Sequence, residues 1–311
     1  MRRERYDPVV LTAAVTGGDV LPSQSPGIPV GPVAIARDAI AAAEAGATCV
    51  HLHAREDDGR PTGSAEIFVE IVETIRSASD VVINITTGGS LEMTIEERLA
   101  GVSAARPEIG TLNLASMTME GFPDPARHPT VNTEWEKEIL ARAGTNMFVN
   151  TLAMVRDVAS ALKNLQVTPE LEAYDAGHIG LAKLLLDEGT IEAPIRMQLV
   201  LGVIGGADAA PEAIIDMYRA VDRLIGMEHV ELSVAAMGYP TQFRSAAIAC
   251  SLGLDFRVGM EDNLRIERRR LAESNAEHVA KASDLASSLE RPIHAPDELR
   301  KSLGPWFSSR P

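Results

Sequence analysis

The feature that most constrains the fold is an alternation of two residue patterns, repeated eight times along the chain. Short runs rich in β-branched residues predict strands, and longer Ala- and Leu-rich stretches with helical spacing predict helices between them. The predicted strands cover residues 9–15, 48–53, 81–86, 109–113, 168–174, 195–201, 230–235 and 256–259. The predicted helices cover residues 33–45, 65–77, 95–105, 152–165, 177–187, 211–225, 241–252 and 273–289. Alternating strand–helix units imply a parallel sheet, and eight of them in about 250 residues predict an α/β fold of the closed (β/α)8 TIM-barrel type.

We expect a single domain over residues 1–311, with two additions to the barrel. An open doubly wound sheet is the weaker alternative, because no G-x-G-x-x-G motif follows the first strand. Residues 116–146 hold several prolines and a charged piece, and we interpret them as an insertion after the fourth strand. The insertion either contributes to the C-terminal face, where barrel enzymes build their sites, or forms a surface decoration or subunit contact. Residues 292–311 are interpreted as an extension packed on the outside.

Charge and cysteine content narrow the function classes. The chain has 29 Lys and Arg against 44 Asp and Glu, a formal net charge of −15. This argues against nucleic-acid binding, which depends on cationic contacts with phosphates, but allows a local basic pocket for a small anion. Cys49 and Cys250 are too few for a disulfide framework and are interpreted as core residues rather than nucleophiles. No apolar run approaches the roughly 20 residues of a membrane helix, so we expect a cytoplasmic protein.

The strongest local motif is His51-Leu52-His53 at the end of the second predicted strand. Side chains two residues apart on a strand point to the same face, so the two imidazoles are expected side by side. Neutral imidazole is a common ligand of zinc and similar metals, and the spacing favours a metal site over a pair of core histidines.

A third ligand is expected from the end of another strand. Glu261 and Asp262 follow the eighth predicted strand, and Arg257 lies on it. The acids could simply decorate a helix N-terminus, but together with the two histidines they make a His₂Glu site plausible. Glu172 on the fifth strand is either an inward acid or a solvated charge at the strand edge.

These motifs, in this order, resemble those of the β-keto acid cleavage enzyme family. The similarity covers nearly the whole chain, from about residue 10 to residue 291. It rests on H-L-H-x-R-E-D-D-G-R-P at residues 51–61, T-G-G at 87–89, T-L-N at 111–113, P-E-x-E at 169–172, L-G-V-x-G-G at 201–206 and G-x-E-D-N at 259–263.

The resemblance implies an enzyme that converts a β-keto acid and acetyl-CoA into acetoacetate and a new acyl-CoA. It implies a bound metal, typically Zn²⁺ although another divalent transition metal fits similar ligands, and a homotetramer. The implied metal ligands are His51, His53 and Glu261, with Asp262 as the base and Arg257 as its partner. The remaining family positions match Glu172 and Thr86 as catalytic groups, and Asp19, Thr111, Asn113, Gly88 and Gly89 as substrate-binding groups.

The chain departs from the family pattern in three places. Asp19 stands where the family often has Glu, and its charge leads us to expect a cationic or polar substrate side chain. The insertion is longer than usual, and residues 237–242 lack the Arg and the aromatic–His pair expected after the seventh strand.

Two further points stay open at this stage. Arg265, Arg268, Arg269 and Arg270 either meet CoA phosphates or form a helical face paired with Glu267 and Glu273. The alternative functions are a metal-dependent aldolase or hydrolase that needs no CoA, and a non-catalytic ligand-binding barrel. The non-catalytic barrel is disfavoured because ligand binding alone does not explain three costly inward charges, those of Asp262, Arg257 and Glu172.

Overall fold

A computed structural model of the protein describes residues 7–89 and 93–303. Its centre is a closed barrel of eight parallel strands, and the predicted (β/α)8 TIM-barrel fold is confirmed. The barrel strands are β1 (Leu11–Ala14), β2 (Cys49–Leu52), β3 (Val82–Ile85), β4 (Ile109–Asn113), β5 (Thr168–Ala173), β6 (Ile195–Leu201), β7 (Val230–Ala236) and β8 (Asp255–Val258). The barrel closes at β1, where Thr12 lies opposite Cys49 of β2 on one side and Arg257 of β8 on the other.

Helices surround the barrel and face it with apolar stripes. In α2, Phe68, Ile71, Val72 and Ile75 are buried at helical spacing, and the Ser64 side chain accepts a hydrogen bond from the Ile67 amide at the N-terminus. The helices are α1 (Gly31–Glu44), α2 (Ala65–Ala78), α3 (Ile95–Ala105), α4 (Glu134–Ala141), α5 (Leu152–Leu165), α6 (Ala176–Asp187), α7 (Pro211–Leu224), α8 (Thr241–Ser251), α9 (Asn275–Ser288) and α10 (Pro296–Ser302).

The segment between β4 and α5 crosses the C-terminal face of the barrel. Residues 117–118 pair antiparallel with residues 147–148, and α4 lies between them in the chain. Glu136 of α4 is fully buried and accepts hydrogen bonds from the amide and hydroxyl of Ser23, while Trp135 Nε1 donates to the Asp58 carbonyl. The segment is therefore anchored to the loops that follow β1 and β2.

The N-terminal end of the barrel is closed by α10. Leu299 and Leu303 pack against Val10, Cys49, Val82 and Ile109, which are among the first inward-facing residues of the strands. The sequence predicted an extension packed on the outside, and residues 296–303 pack over the N-terminal end of the barrel, where the apolar strand ends need a partner. Residues 304–311 of that predicted extension lie outside the described residues.

No helix in residues 7–89 or 93–303 is long and apolar enough to cross a membrane.

Candidate functional site

Two histidines and a glutamate meet at the C-terminal end of the barrel. His51 and His53 project from the end of β2 on the same side, and Glu261 follows β8. One ligand atom from each residue lies within 4.8 Å of the others. His51 Nε2 is 3.6 Å from Glu261 Oε2, and His53 Nε2 is 3.5 Å from Glu261 Oε1. The structure thus brings together the three residues expected as metal ligands.

The protonation states of this cluster suit a divalent metal. Burial lowers the pKa of His51 to about 3, which keeps the imidazole neutral and able to coordinate. Burial opposes ionisation of Glu261, but the charge of Arg257 holds the pKa of this carboxyl well below its usual range. Among the described residues, buried Glu261 Oε2 has no hydrogen-bond partner. Two imidazoles and a carboxylate with one unsatisfied oxygen form a donor set that fits Zn²⁺ or a related ion.

Arg257 organises the acids beside the cluster. Its Nε and Nη2 donate to the two carboxylate oxygens of Asp262 at 3.0 and 2.6 Å, and Nη2 also donates to Glu261 at 2.7 Å. A third carboxylate, that of Glu172, lies 3.9 Å from Nη1. Burial raises the pKa of Asp262, although Arg257 opposes the shift. A raised pKa moves a carboxylate toward the range useful for taking a proton near neutrality.

Glu172 faces the barrel interior, so the first of its two interpretations, an inward acid, is the right one. Its carboxylate accepts hydrogen bonds from Asn113 Nδ2 and, at 3.0 Å, from the Tyr174 hydroxyl. Burial raises the pKa of Glu172 to about 7 despite the opposing charge of Arg257. Sequence reasoning did not single out Tyr174, although its position two residues after Glu172 on a strand places both on one face.

The turn after β3 forms another wall of the site. The Thr86 hydroxyl accepts hydrogen bonds from the amides of Gly88 and Gly89 at 2.9 and 3.3 Å, and all three residues line the cavity. Thr111, expected as a substrate-binding residue, is not among the residues that line it. The buried Thr111 hydroxyl instead accepts a hydrogen bond from the Thr87 amide at 2.9 Å, so Thr111 helps to fix the turn.

Asp19 is exposed in the cavity, on the loop after β1. Arg55, to which the sequence analysis assigned no role, fixes this loop. Arg55 is fully buried and donates to the carbonyls of Thr16, Gly17 and Val20 and to the Thr16 hydroxyl. The sequence contained a signal for this role, because an arginine at the end of an apolar strand must find buried hydrogen-bond acceptors.

The histidine–glutamate cluster, the arginine–carboxylate group, Glu172, Thr86 and Asp19 line one cavity of about 570 Å³. Residues 119–123 of the segment after β4 form part of its wall, which favours a site role over surface decoration for that part of the predicted insertion. Residues 237–239, after β7, also line it. An apolar side of the cavity is formed by Met119, Tyr174, Val200, Val203 and Met237.

The arginine cluster after β8 is not the helical face considered from the sequence. Residues 265–267 and 270–271 pair as an antiparallel hairpin. Arg270 forms ion pairs with Glu267 at 3.6 Å and with Glu277 at 2.8 Å, rather than with Glu273. The helical interpretation was wrong because tertiary contacts with α9 stabilise an extended conformation here; Lys281 of α9, for instance, donates to the Ile266 carbonyl.

The fold and the site together define a class of protein: a (β/α)8 barrel with a His₂Glu cluster of metal-binding type beside a buried arginine–carboxylate group. Comparison with known sequences makes the assignment narrower. The chain belongs to the beta-keto acid cleavage enzyme family, whose profile matches residues 8–304.

Characterised relatives span nearly the whole chain. A 3,5-dioxohexanoate:acetyl-CoA acetone transferase of Paraburkholderia graminis is 38% identical, with 95% of each chain covered. A 3-keto-5-aminohexanoate cleavage enzyme of Acetoanaerobium sticklandii is 34% identical, covering 95% of this chain and 98% of the relative. A 3-dehydrocarnitine:acetyl-CoA trimethylamine transferase of Rhizobium meliloti is also 34% identical, covering 95% and 96%.

A solved structure, the ternary complex of ObcA with a C4-CoA adduct and oxalate, superposes with a TM-score of 0.72. The two proteins are 20% identical, and the match covers 90% of this chain and 68% of that one. At this identity the likeness supports the barrel fold alone.

Proposed function

We propose that the protein transfers the acyl part of a β-keto acid to CoA, using acetyl-CoA and releasing acetoacetate. The observation that carries the proposal is the position of Asp262. This carboxylate is held by Arg257 next to the His51–His53–Glu261 cluster, in one cavity. A metal-binding cluster next to a positioned base is the arrangement that proton abstraction beside a carbonyl requires.

His51, His53 and Glu261 would hold the metal, which would supply Lewis-acid polarisation of the substrate's keto and carboxylate oxygens. Asp262 takes a proton from the carbon between the two carbonyl groups, and Arg257 keeps the carboxylate aligned for this transfer. Burial raises the pKa of Asp262, which favours its protonated form after the transfer, and the proton is later returned to the product carbanion.

The proposed bond changes balance without an oxidant or a reductant. The enolate carbon of the substrate bonds to the thioester carbon of acetyl-CoA, and the CoA thiolate leaves. The thiolate then bonds to the former keto carbon, and the adjacent carbon–carbon bond breaks to give the new acyl-CoA. The departing acetoacetate carbanion recovers the proton from Asp262.

Three other elements of the site complete the proposal. The Thr86 hydroxyl and the Gly88–Gly89 turn form a polar wall that can orient the substrate carboxylate. Asn113 and Tyr174 fix Glu172, which, with a pKa of about 7, can exchange a proton near neutral pH. Thr111 acts indirectly by holding the Thr87 turn.

We further propose that the substrate side chain is cationic or polar. Asp19 presents an exposed carboxylate to the cavity, and an ammonium group near it would gain charge-assisted hydrogen bonding. Two of the relatives are named for nitrogen-containing substrates, an aminohexanoate and a dehydrocarnitine, and a third is named for 3,5-dioxohexanoate, whose side chain is polar without an amine.

The test is an assay for acetoacetate with cationic, neutral and anionic β-keto acids, each with and without acetyl-CoA. We expect product only with acetyl-CoA, and a loss of at least tenfold in kcat/KM for cationic substrates in Asp19→Asn, with less effect on neutral ones. Turnover without acetyl-CoA would favour the aldolase or hydrolase alternative. Exclusive turnover of neutral aliphatic substrates would refute the role of Asp19.

We also propose, from the family resemblance, a homotetramer located in the cytoplasm. Light scattering of the purified protein would test the oligomeric state, and a mass corresponding to a monomer would refute it.

A further inference from the structure

The hairpin after β8 places arginines beside the cavity. Arg265 lines the cavity together with Glu261 and Asp262, whereas Arg268 and Arg269 lie at the exposed turn of the hairpin. The loop therefore leads directly from the proposed metal ligand and base to a basic surface at the C-terminal face.

The structure holds this hairpin in a defined position. Asn263 accepts a hydrogen bond from the Arg265 amide at 2.9 Å and donates to the Arg265 carbonyl at 2.7 Å. Ile266 is buried, and Lys281 Nζ donates to its carbonyl. A fixed hairpin can present its arginines to a ligand without first losing much conformational freedom.

The charges of the hairpin are unevenly paired. Arg270 is neutralised by Glu277 and Glu267, at 2.8 and 3.6 Å. In the part of the chain that the structure describes, no carboxylate lies within ion-pair distance of the other three arginines, Arg265, Arg268 and Arg269. Three such cations on one hairpin, one of which lines the cavity, are unexpected by chance in a chain with a net charge of −15. A local positive region is what a polyanionic ligand needs to approach an acidic protein.

We propose that Arg265, Arg268 and Arg269 bind the phosphate groups of acetyl-CoA while the thioester enters the cavity past Arg265. This inference rests on the proposed function, in which acetyl-CoA is a substrate. Guanidinium groups bind phosphate oxygens in pairs of charge-assisted hydrogen bonds, more specifically than ammonium groups do. Because Arg265 lines the cavity and the turn arginines do not, we assign the diphosphate to Arg265 and the ribose 3′-phosphate to Arg268 and Arg269.

The kinetic test uses the double variant Arg268→Ala/Arg269→Ala. We expect the KM for acetyl-CoA to rise about tenfold or more, because each lost contact with a charged group is worth a factor of this order. The kcat, the KM for the β-keto acid and the KM for S-acetylpantetheine, which has no nucleotide, should stay within about twofold. The KM for 3′-dephospho-acetyl-CoA should respond much less than that for acetyl-CoA.

A charge-matched control separates specific binding from the loss of two positive charges. Arg219 and Arg223 are exposed on α7, on the outside of the barrel, so Arg219→Ala/Arg223→Ala changes the net charge equally. Two results would overturn the assignment. One is an equal rise in the KM for acetyl-CoA in both double variants. The other is that Arg268→Ala/Arg269→Ala, the hairpin variant, changes the KM for acetyl-CoA and the KM for S-acetylpantetheine equally.

A binding measurement keeps this inference distinct from the proposed function. Calorimetry with CoA and with adenosine 3′,5′-bisphosphate should show affinity that falls about tenfold in the hairpin variant but not in the control. If that holds while no β-keto acid is cleaved, the proposed reaction fails and the phosphate site stands. If CoA does not bind, or binds no better than ATP or inorganic phosphate, the phosphate site is refuted.

Discussion

Gly17 lies on the loop after β1, in contact with the side chain of Glu261. Replacing Gly17 with alanine should therefore displace a proposed metal ligand without changing the ligand itself. A Cβ at Gly17 would lie 2.5 Å from Glu261 Cγ. Carbon atoms in favourable contact are about 3.5 Å apart, so one side chain must give way by about 1 Å. The loop has little freedom to retreat, because Arg55 binds the carbonyls on both sides and that of Gly17 itself. We therefore expect Glu261 to move.

Two costs follow from Gly17→Ala and can be separated. Gly17 has φ of +61°, where a residue with a Cβ pays about 1–2 kcal/mol. That cost appears as a lower free energy of unfolding. The displacement of Glu261 by about 1 Å should in addition lower kcat by about 100-fold, because catalytic geometry tolerates little error. It should also weaken metal binding, since a ligand leaves its position.

Gly189→Ala is the matched control. Gly189 has φ of +76° at the end of α6, and a Cβ there would meet no atom within 4 Å. It should carry the same backbone cost without touching the site. The assay compares both variants in urea unfolding of the metal-free protein, metal titration and steady-state kinetics. If Gly17→Ala keeps kcat and metal affinity within a few-fold of Gly189→Ala, the clash with Glu261 does not matter and the reasoning is refuted.

Three further predictions test other parts of the molecule. Glu261→Gln should lower the bound metal from about one equivalent per chain to a small fraction, as measured by elemental analysis after dialysis, since coordination needs the charged carboxylate; full retention of metal would contradict the assignment. Folding raises the pKa of Glu172 from 4.5 to about 7, so its contribution to the free energy of unfolding is lost as pH rises through this interval. In metal-free protein the wild type should lose roughly 3 kcal/mol relative to Glu172→Gln between pH 4.5 and 7.5, and a constant difference in urea unfolding would show that the shift is absent. Leu299→Ala in α10 should cost about 2–5 kcal/mol and lower Tm, because Leu299 is fully buried. Glu298→Ala, an exposed neighbour, should leave Tm nearly unchanged, and equal effects would mean that α10 does not close the barrel.

Much of the fold could be predicted because its signals are local. Each barrel strand is a short apolar run, and each surrounding helix has an apolar stripe, so both can be recognised from neighbouring residues. The same local rule placed His51 with His53 and explains why Tyr174 accompanies Glu172. The hairpin at residues 265–271 could not be predicted this way, because contacts from α9 rather than local preference stabilise it.

By itself, then, the sequence determined the order of strands and helices, the side of each strand that carries polar groups, and the chemical types available for a metal and a base. The tertiary structure decided which of these groups meet. Barrel closure sets β1 between β2 and β8, and this brings His51 and His53 to Glu261 and places Gly17 against it. It also decided that Thr111 supports a turn, that Arg55 fixes the Asp19 loop, and that α10 covers the N-terminal end. These are contacts between residues far apart in the chain, and residue periodicity reports only on near neighbours.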